Sequence, residues 1–380
     1  MNYLELHKKN KEITLYGRYI PLEQIEPLIL KHHGEIIGHS ILGNPIYKLN
    51  MGTGKIRILM WSQMHGNEST TTKALFDFIN FLNSNTTESN SILNNFTFCM
   101  LPMVNPDGAK LYTRENANGI DLNRDAQNLS QPESTVLRKT FDDFLPNYCY
   151  NLHDQRSIFG AGESGKPATV SFLAPAFNEN RDINEVRTKA INLIVAMNDT
   201  LQQYIPNQVG RFDDSFNLNC VGDTFQHLNV PTILFEAGHF SNDYEREITR
   251  KYIFISLLSG VEYLNENDIV LNKIDDYLKI PQNKVVFYDF VYKYVKINYV
   301  GKEKIINFAA QFKEVLNNGK VCFEAIIAQI DNLENYFGHT EIDANGEIYN
   351  DGESNFPIID KKATFYLGEN CKIVNGKQIS

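Results

Sequence analysis

The feature that most constrains the fold is an alternation of apolar runs and helical patterns between residues 55 and 264. Four runs have the length of strands: IRILMWSQ, FTFCMLPMV, YCYNL and PTILFE. Helical patterns cover residues 68–84, 183–204 and about 248–264, and the first two place their apolar residues on one face. Strands that alternate with helices predict an α/β fold, a sheet covered by helices.

The sequence changes character after about residue 268. The stretch VVFYDFVYKYVKINYV is aromatic and β-branched with partial period-two alternation, and DANGEIYNDGES is rich in turn residues. We therefore predict two domains, a main α/β domain over residues 1–267 and a smaller β-rich C-terminal domain over residues 268–380. The second domain carries no reactive cluster, which favours a packing or specificity module.

Charge and composition exclude several functional classes. The 36 Lys and Arg residues stand against 46 Asp and Glu residues, a net charge of -10, which argues against a broad basic surface for nucleic acid or anionic lipid. No window approaches 18 consecutive apolar residues, and the N-terminal stretch lacks the apolar core of a signal peptide. The five widely spaced cysteines favour reduced core thiols. We expect a cytoplasmic protein that does not span a membrane.

Polar residues follow each of the four candidate strands. The first strand runs into His65 and Glu68, the second into NPDG at 105–108, the third into His153, and the fourth ends at Glu236. Ligands of open α/β sheets bind beyond the carboxyl ends of the strands. If these strands are parallel neighbours, the polar residues converge at one edge of the sheet.

Three of these residues have the pattern of a catalytic zinc site. His65 and Glu68 are three positions apart across a loop-to-helix junction and can point to one side. His153 would add a third ligand from another strand, and three protein ligands leave a position for water. The alternative is that each residue is an ordinary hydrogen-bonded residue of a loop. The three residues together favour a site for one metal ion. The ligand types indicate zinc, whereas affinity order alone does not identify the metal.

Glu236 is a candidate general acid and base. Hydrolysis of an amide needs a group that accepts the proton of water and delivers it to the leaving nitrogen, and a carboxylate beside a metal can do both. Glu236 ends an apolar strand, where desolvation would raise its pKa. The alternative is a carboxylate in a salt bridge or at the N-terminus of a helix.

The segment TRENANGIDLNRD brings two guanidinium groups into a loop region. One arginine of the set Arg114 and Arg124 can polarise a scissile carbonyl and stabilise the developing oxyanion. The other, together with Asn123, can hold a substrate carboxylate. The alternative is that both arginines only bridge neighbouring acidic residues such as Asp121.

The stretch GAGESGKP, residues 160–167, has the spacing of a phosphate-binding loop up to its lysine. Pro167 stands where such a loop needs the Ser or Thr that binds magnesium. The following ATVSFLAP predicts a strand, whereas a phosphate loop opens a helix. We therefore predict a glycine-rich loop beside the site and no nucleotide binding.

The motifs HGNE, NPDG, TRENANGIDLNRD, NLHD and ILFEAG, in this order, resemble the zinc carboxypeptidase (M14) family over about residues 36–262. The resemblance implies a carboxypeptidase-like mixed β-sheet flanked by helices and a single Zn²⁺ held by two imidazoles and a carboxylate. It implies these roles: His65, Glu68 and His153 as metal ligands, Arg114 as the carbonyl-polarising residue, Asn123 and Arg124 as ligands of the substrate carboxylate, and Glu236 as general acid/base.

The sequence departs from the digestive members of that family. Asn67 stands where they have an arginine before the zinc-ligand glutamate, and residues 211–223 contain no counterpart of their substrate-covering tyrosine. RENANGIDLNRD is closer to bacterial members. The leading hypothesis is a hydrolase of peptide bonds adjacent to a free carboxylate, acting on a peptide or a small carboxylate-bearing amide. A deacylase of N-acyl amino acids, of the aspartoacylase and succinylglutamate desuccinylase type, and a non-catalytic peptide-binding protein are the alternatives.

Overall fold

The structure, a computed structural model, describes residues 1–267, 270–331 and 333–379. The chain forms two compact units: the first comprises Met1–Gln155 with Ala168–Asn283, and the second comprises Arg156–Pro167 with Lys284–Ser380. The domain boundary predicted at residue 268 lies outside the described residues. Within the described ranges, no helix combines the length and apolarity that a membrane span requires.

The secondary structure of the described residues is as follows. The helices are α1 (Tyr3–Asn10), α2 (Leu22–Lys31), α3 (Thr70–Leu82), α4 (Thr87–Asn95), α5 (Pro106–Leu111), α6 (Pro132–Phe144), α7 (Glu185–Leu201), α8 (Val221–His227), α9 (Glu247–Glu266) and α10 (Ile274–Lys279), with a 3-10 turn at Leu122–Arg124. The strands are β1 (Glu35–His39), β2 (Pro45–Met51), β3 (Ile56–Ser62), β4 (Phe96–Leu101), β5 (Tyr148–Asp154), β6 (Phe159–Ala161), β7 (Val170–Leu173), β8 (Val209–Arg211), β9 (Thr232–Ala237), β10 (Asn283–Val285), β11 (Phe287–Tyr299), β12 (Lys302–Asn317), β13 (Lys320–Ile330), β14 (Phe337–Asp343), β15 (Tyr349–Asn350), β16 (Phe365–Leu367), β17 (Cys371–Val374) and β18 (Lys377–Ile379).

The first unit is built on a mixed sheet that, over the described residues, has eight strands in the order β1, β2, β4, β3, β5, β9, β7, β8. The four strands predicted from the sequence are its centre, and β4, β3, β5 and β9 are parallel neighbours. Antiparallel pairing of β2 with β4 and of β7 with β9 makes the sheet mixed. The predicted α/β fold class is confirmed, and the carboxyl ends of the central strands share one edge.

Both faces of this sheet are covered, because successive residues of a strand point to opposite sides. Ile58 and Met60 of β3 belong to a core shared with α3, α7 and α9. Leu59 and Trp61 belong to a second core shared with α6 and α8. Burial on both sides explains why the sequences of these strands are continuous apolar runs. Cys149 of β5 is buried, as expected of a core thiol, whereas Cys322 in the second unit is exposed.

The second unit is a β structure, which confirms the expected β-rich C-terminal region. One sheet has the order β13, β12, β11, β14, and a smaller one has the order β15, β16, β17, β18. The hairpin between β12 and β13 turns at Asn318 and Gly319, whose φ angles are 48° and 73°. Asn-Gly is the pair that adopts two consecutive left-handed residues most readily, so the sequence fixes this turn.

Residues 156–167 belong to the second unit, which the sequence did not indicate. The backbone carbonyl of Ile158 accepts hydrogen bonds from the backbone N–H groups of Val286 and Phe287, both at 3.1 Å. The Nε2 atom of His339 bonds the carbonyl of Ser157 at 2.8 Å. The partners of this segment therefore come from more than a hundred residues further along the chain. The strand predicted to follow GAGESGKP is β7, so the helix that a phosphate loop requires is not formed there.

Candidate metal centre and active site

The loop that carries His65 lies directly on α5. A Cβ atom on Gly66 would meet the carbonyl carbon of Gly108 at 1.9 Å, so only glycine fits between the two backbones. Asn105 caps α5 by accepting a hydrogen bond from the N–H of Gly108 at 2.8 Å, and its Nδ2 donates to the carbonyl of Met64 at 3.2 Å. The HGNE and NPDG motifs thus form one backbone contact that fixes His65 at the sheet edge.

The Gly66→Ala variant should be destabilised by about 1–3 kcal/mol, because the added methyl group overpacks two backbones that have no flexible side chain to move. Urea unfolding followed by the fluorescence of Trp61, the single tryptophan of the chain and buried in this unit, measures the effect. Gly222→Ala is the control, since its Cβ would lie 3.4 Å from the nearest atom, in ordinary contact. Equal stability of the Gly66 and Gly222 variants would contradict this account.

The three predicted metal ligands meet at the carboxyl ends of β3 and β5. The Nδ1 atom of His65 lies 2.8 Å from Oε1 of Glu68, and the Nδ1 atom of His153 lies 2.8 Å from Oε2 of the same carboxylate. The two Nδ1 atoms are 3.1 Å apart. All three side chains are buried, and their donor atoms lie within 4.8 Å of one another.

Asp121 fixes the orientation of the first imidazole. Its Oδ1 atom lies 3.0 Å from Nε2 of His65, so the carboxylate favours the proton on Nε2 and leaves the lone pair of Nδ1 facing the cluster. Its Oδ2 atom accepts hydrogen bonds from Nε and Nη2 of Arg114, at 3.1 and 3.0 Å. The sequence indicated Asp121 only as an acidic neighbour of the arginines. In the structure, Asp121 contacts both Arg114 and the imidazole of His65.

This donor set fits one zinc ion. Two nitrogens at the usual distance from a tetrahedral zinc lie about 3.3 Å apart, close to the observed 3.1 Å. Burial disfavours the charged imidazolium of His153 and lowers its pKa, which favours the neutral ring that a metal ligand requires. Burial also opposes the charged carboxylate of Glu68, but His65 and His153 outweigh burial and hold its pKa well below the ordinary value.

Glu236 stands beside the cluster on the neighbouring strand. It is the registered partner of His153 between β5 and β9, so both side chains leave the same face of the sheet. Its Oε2 atom is buried and has no hydrogen-bond partner among the described residues, although the residue is partly accessible. Burial first, and then the negative charges of Glu68 and Asp154, raise the pKa of Glu236 well above its usual value.

Arg114 belongs to the same cluster. Besides its contacts with Asp121, its Nη1 atom lies 3.3 Å from Oε1 of Glu68. Its side chain is 40% exposed, so part of the guanidinium remains accessible from solvent. The ion pair with a neighbouring acid, considered above as an alternative to a catalytic role, is therefore present and leaves room for a further partner.

Asn123 and Arg124 lie on the 3-10 turn beside the start of α8. The backbone N–H of Asn123 donates to Oδ1 of Asp121 at 2.8 Å, and its side-chain Oδ1 accepts from the N–H of Val221 at 3.0 Å. The exposed Arg124 donates from Nη1 to the carbonyl of Asn123 at 2.8 Å and to Sγ of Cys220 at 3.1 Å. Its guanidinium thus faces the start of α8 and not the three ligands.

Comparisons with known proteins place this geometry in context. Residues 31–158 match the family model described as zinc carboxypeptidase (Peptidase M14), a segment that ends before Glu236. A probable carboxypeptidase 2 of Arthroderma benhamiae is 26% identical over 137 residues, which cover 36% of this chain and 25% of that protein. A gamma-D-glutamyl-L-diamino acid endopeptidase 1 of Lysinibacillus sphaericus is 36% identical over 128 residues, covering 30% of this chain and 32% of that protein.

The matched part thus amounts to between a quarter and a third of the length of these two relatives. Among solved structures, a putative carboxypeptidase A of Shewanella denitrificans OS-217 superposes with a TM-score of 0.54 at 18% identity. That superposition covers 64% of this chain and 68% of the other, and it confirms the fold.

Proposed function

We propose, from the match of residues 31–158 to the zinc carboxypeptidase (M14) family model, that the chain is a zinc-dependent hydrolase of peptide bonds adjacent to a free carboxylate. One observation carries the proposal. Three buried donors of the type and number that catalytic zinc takes converge. On the next strand, in register with one of them, stands a carboxylate whose Oε2 atom has no hydrogen-bond partner within the described part of the chain.

The proposed chemistry assigns the metal to His65, Glu68 and His153. A zinc ion bound there would supply a Lewis acid and lower the pKa of a water molecule at its open position. Glu236 then accepts the proton of the attacking water on its carboxylate and delivers it to the leaving nitrogen. Its raised pKa supports this role, because a general acid and base works best when its pKa is near the working pH.

The arginines and Asn123 are proposed to bind substrate. Arg114 donates to the scissile carbonyl oxygen, where negative charge develops, while Asp121 holds its other edge. The side-chain oxygen of Asn123 is occupied by Val221, which leaves the amide N–H groups as donors for the substrate carboxylate. Arg124, exposed at the same turn, supplies the charge for that carboxylate.

The substrate is proposed to be a short peptide. The relative from Lysinibacillus sphaericus is named for gamma-D-glutamyl-L-diamino acid bonds, so such peptides belong in the test panel beside ordinary blocked dipeptides. The cytoplasmic location stays a prediction.

The purified protein should release C-terminal residues from such peptides, lose this activity with a chelator and regain it when zinc is added. His153→Ala should lose both bound zinc and activity, because it removes one of three ligands. His227→Ala, which removes an exposed imidazole, should retain both. Activity and zinc content are measured together for each variant.

Faster hydrolysis of N-acetyl or N-succinyl amino acids than of any peptide would replace the proposed function by a deacylase. Tight peptide binding without cleavage by the zinc-loaded protein would replace it by a peptide-binding role. Activity that persists unchanged after complete metal removal would contradict both the proposed zinc-dependent peptidase and the alternative zinc-dependent deacylase.

A further inference from the structure

A buried arginine joins the two strand ends that carry the candidate site. Arg246 is 3% exposed. Its Nη1 atom donates to the carbonyl of Ala237 at 2.6 Å, and its Nη2 atom donates to the carbonyl of Gln155 at 2.6 Å. Ala237 directly follows Glu236 on β9, and Gln155 lies two residues after His153 on the chain that leaves β5. One planar guanidinium therefore spans the ends of both strands.

Arg246 also lies near the carboxylate of Asp154, which fixes the start of α3. Its Nη1 atom is 3.9 Å from Oδ2 of Asp154. The carboxylate of Asp154 accepts hydrogen bonds from the N–H groups of Thr70 and Thr71, at 2.9 and 3.2 Å, and thereby caps the helix. The backbone N–H of Asp154 donates to Oε2 of Glu68 at 3.1 Å. The guanidinium of Arg246 thus lies beside the carboxylate that holds the helix following Glu68.

The backbone of Arg246 is strained, and capping of α9 does not explain it. Its φ angle of 57° lies in the left-handed region, which is unfavourable for a residue other than glycine. The first N–H groups of α9 are satisfied by Asp243, whose carboxylate accepts from Glu247, Ile248 and Thr249 at 2.8–2.9 Å. Arg246 is the N-cap residue of α9, but its side chain caps none of these N–H groups, so the persistence of the strained backbone points to a requirement for the other contacts of that side chain.

We propose that Arg246 is a positioning residue: it holds the ends of β5 and β9 at the separation that places Glu236 beside the metal ligands. It touches neither substrate nor metal and acts through Ala237, Gln155 and Asp154. The inference rests on the proposed function for its catalytic consequence. Its consequence for metal binding, through Asp154 and Glu68, is independent of any substrate.

Two substitutions test the proposal. Arg246→Ala opens a space into which free guanidinium can enter, whereas Arg246→Lys keeps a charge but cannot bridge two carbonyls in one plane. In both variants kcat should fall and the Kd for zinc should rise, each by about 10–100-fold, as for loss of an outer partner of a metal ligand. KM should stay within about twofold, because ground-state binding of substrate is untouched. Millimolar guanidinium should restore part of the kcat of Arg246→Ala and none of that of Arg246→Lys.

Arg250→Lys is the matched control. Arg250 lies one turn further along α9 and is fully buried. It binds the carboxylates of Asp77 and Glu247 and the carbonyls of Leu15 and Glu12. It has the same chemistry but does not join β5 to β9. This control should be less stable than wild type, yet keep the kcat of its folded fraction and the zinc Kd, and it should not respond to guanidinium.

The Kd for zinc, measured by competition with a chromophoric chelator, tests the positioning role of Arg246 separately from the proposed peptidase function. If the wild-type protein cleaves no substrate, the proposed function fails, and the zinc titration still decides the role of Arg246. Wild-type zinc Kd and kcat in both Arg246 variants, or losses of kcat and zinc binding that Arg250→Lys reproduces, would overturn the positioning role. If Arg246→Ala does not fold, the positioning role is tested on Arg246→Lys alone, by its Kd for zinc and by whether kcat falls while KM stays constant.

Discussion

Replacing Glu236 by glutamine is expected to lower kcat by about 10²–10⁴-fold, the usual contribution of a general acid and base, while zinc content stays at the wild-type level. Glutamine keeps the shape of the side chain but cannot accept a proton and return it. The three converging donors do not include Glu236, so its loss leaves the metal site complete. The variant should also remain at least as stable as wild type, because glutamine carries no negative charge, and burial and the neighbouring charges of Glu68 and Asp154 disfavour such a charge at this position.

The measurement is kcat and KM on the best peptide substrate, with zinc determined on the same sample. Glu88→Gln, which removes a carboxylate from the exposed surface of α4, serves as the control for handling and for net charge. Unchanged turnover in Glu236→Gln would remove this residue from the mechanism. Loss of zinc together with turnover would instead assign it a structural role at the metal site.

The central sheet was predictable because its strands are buried on both faces. Continuous apolar runs such as residues 58–61 have few alternatives to a covered strand, and the residues that follow them must lie at a sheet edge. The edge strands were not predicted: β1 is largely accessible and β8 has three residues, so neither has a distinctive pattern. The grouping of residues 156–167 with the second unit was not predicted, because the partners of this segment lie far along the chain.

The candidate site was predictable to the same extent. The proposed ligands follow strands, and strand ends meet in a parallel sheet, so His65, Glu68 and His153 could be grouped from the sequence. The residues that support them could not. Asp121 lies 56 positions from the imidazole it orients, and it has a complete local explanation as the residue that accepts the N–H of Asn123. Arg246 contacts a carbonyl 91 positions away, and its neighbours in sequence are charged residues typical of any helix start.

A buried ion pair between Arg250 and Asp77 anchors the N-terminal segment to helices α3 and α9 of the first unit. Arg250 and Asp77 are both fully buried and are joined by two hydrogen bonds, Nε to Oδ2 at 2.7 Å and Nη2 to Oδ1 at 2.6 Å. The other hydrogen bonds of Arg250 reach the carbonyls of Leu15 and Glu12, at 2.6 and 2.7 Å, and Oε2 of Glu247, at 3.1 Å. One guanidinium therefore connects α9, α3 and the segment before α2.

Arg250→Met should destabilise the first unit by about 3–5 kcal/mol, the cost of leaving one partner of a buried ion pair uncompensated. Asp77 would keep the backbone N–H of Glu12 and the ring of His7, at 2.7 and 3.2 Å, which only partly balance its charge. Urea unfolding followed by Trp61 fluorescence measures the loss. Arg138→Met breaks the exposed pair of Arg138 with Asp142 on α6 and should cost less than about 1 kcal/mol. Equal losses in the two variants would mean that the buried pair holds no more of the stability than a surface pair does, and the N-terminal segment would then have to be fastened by its apolar contacts alone.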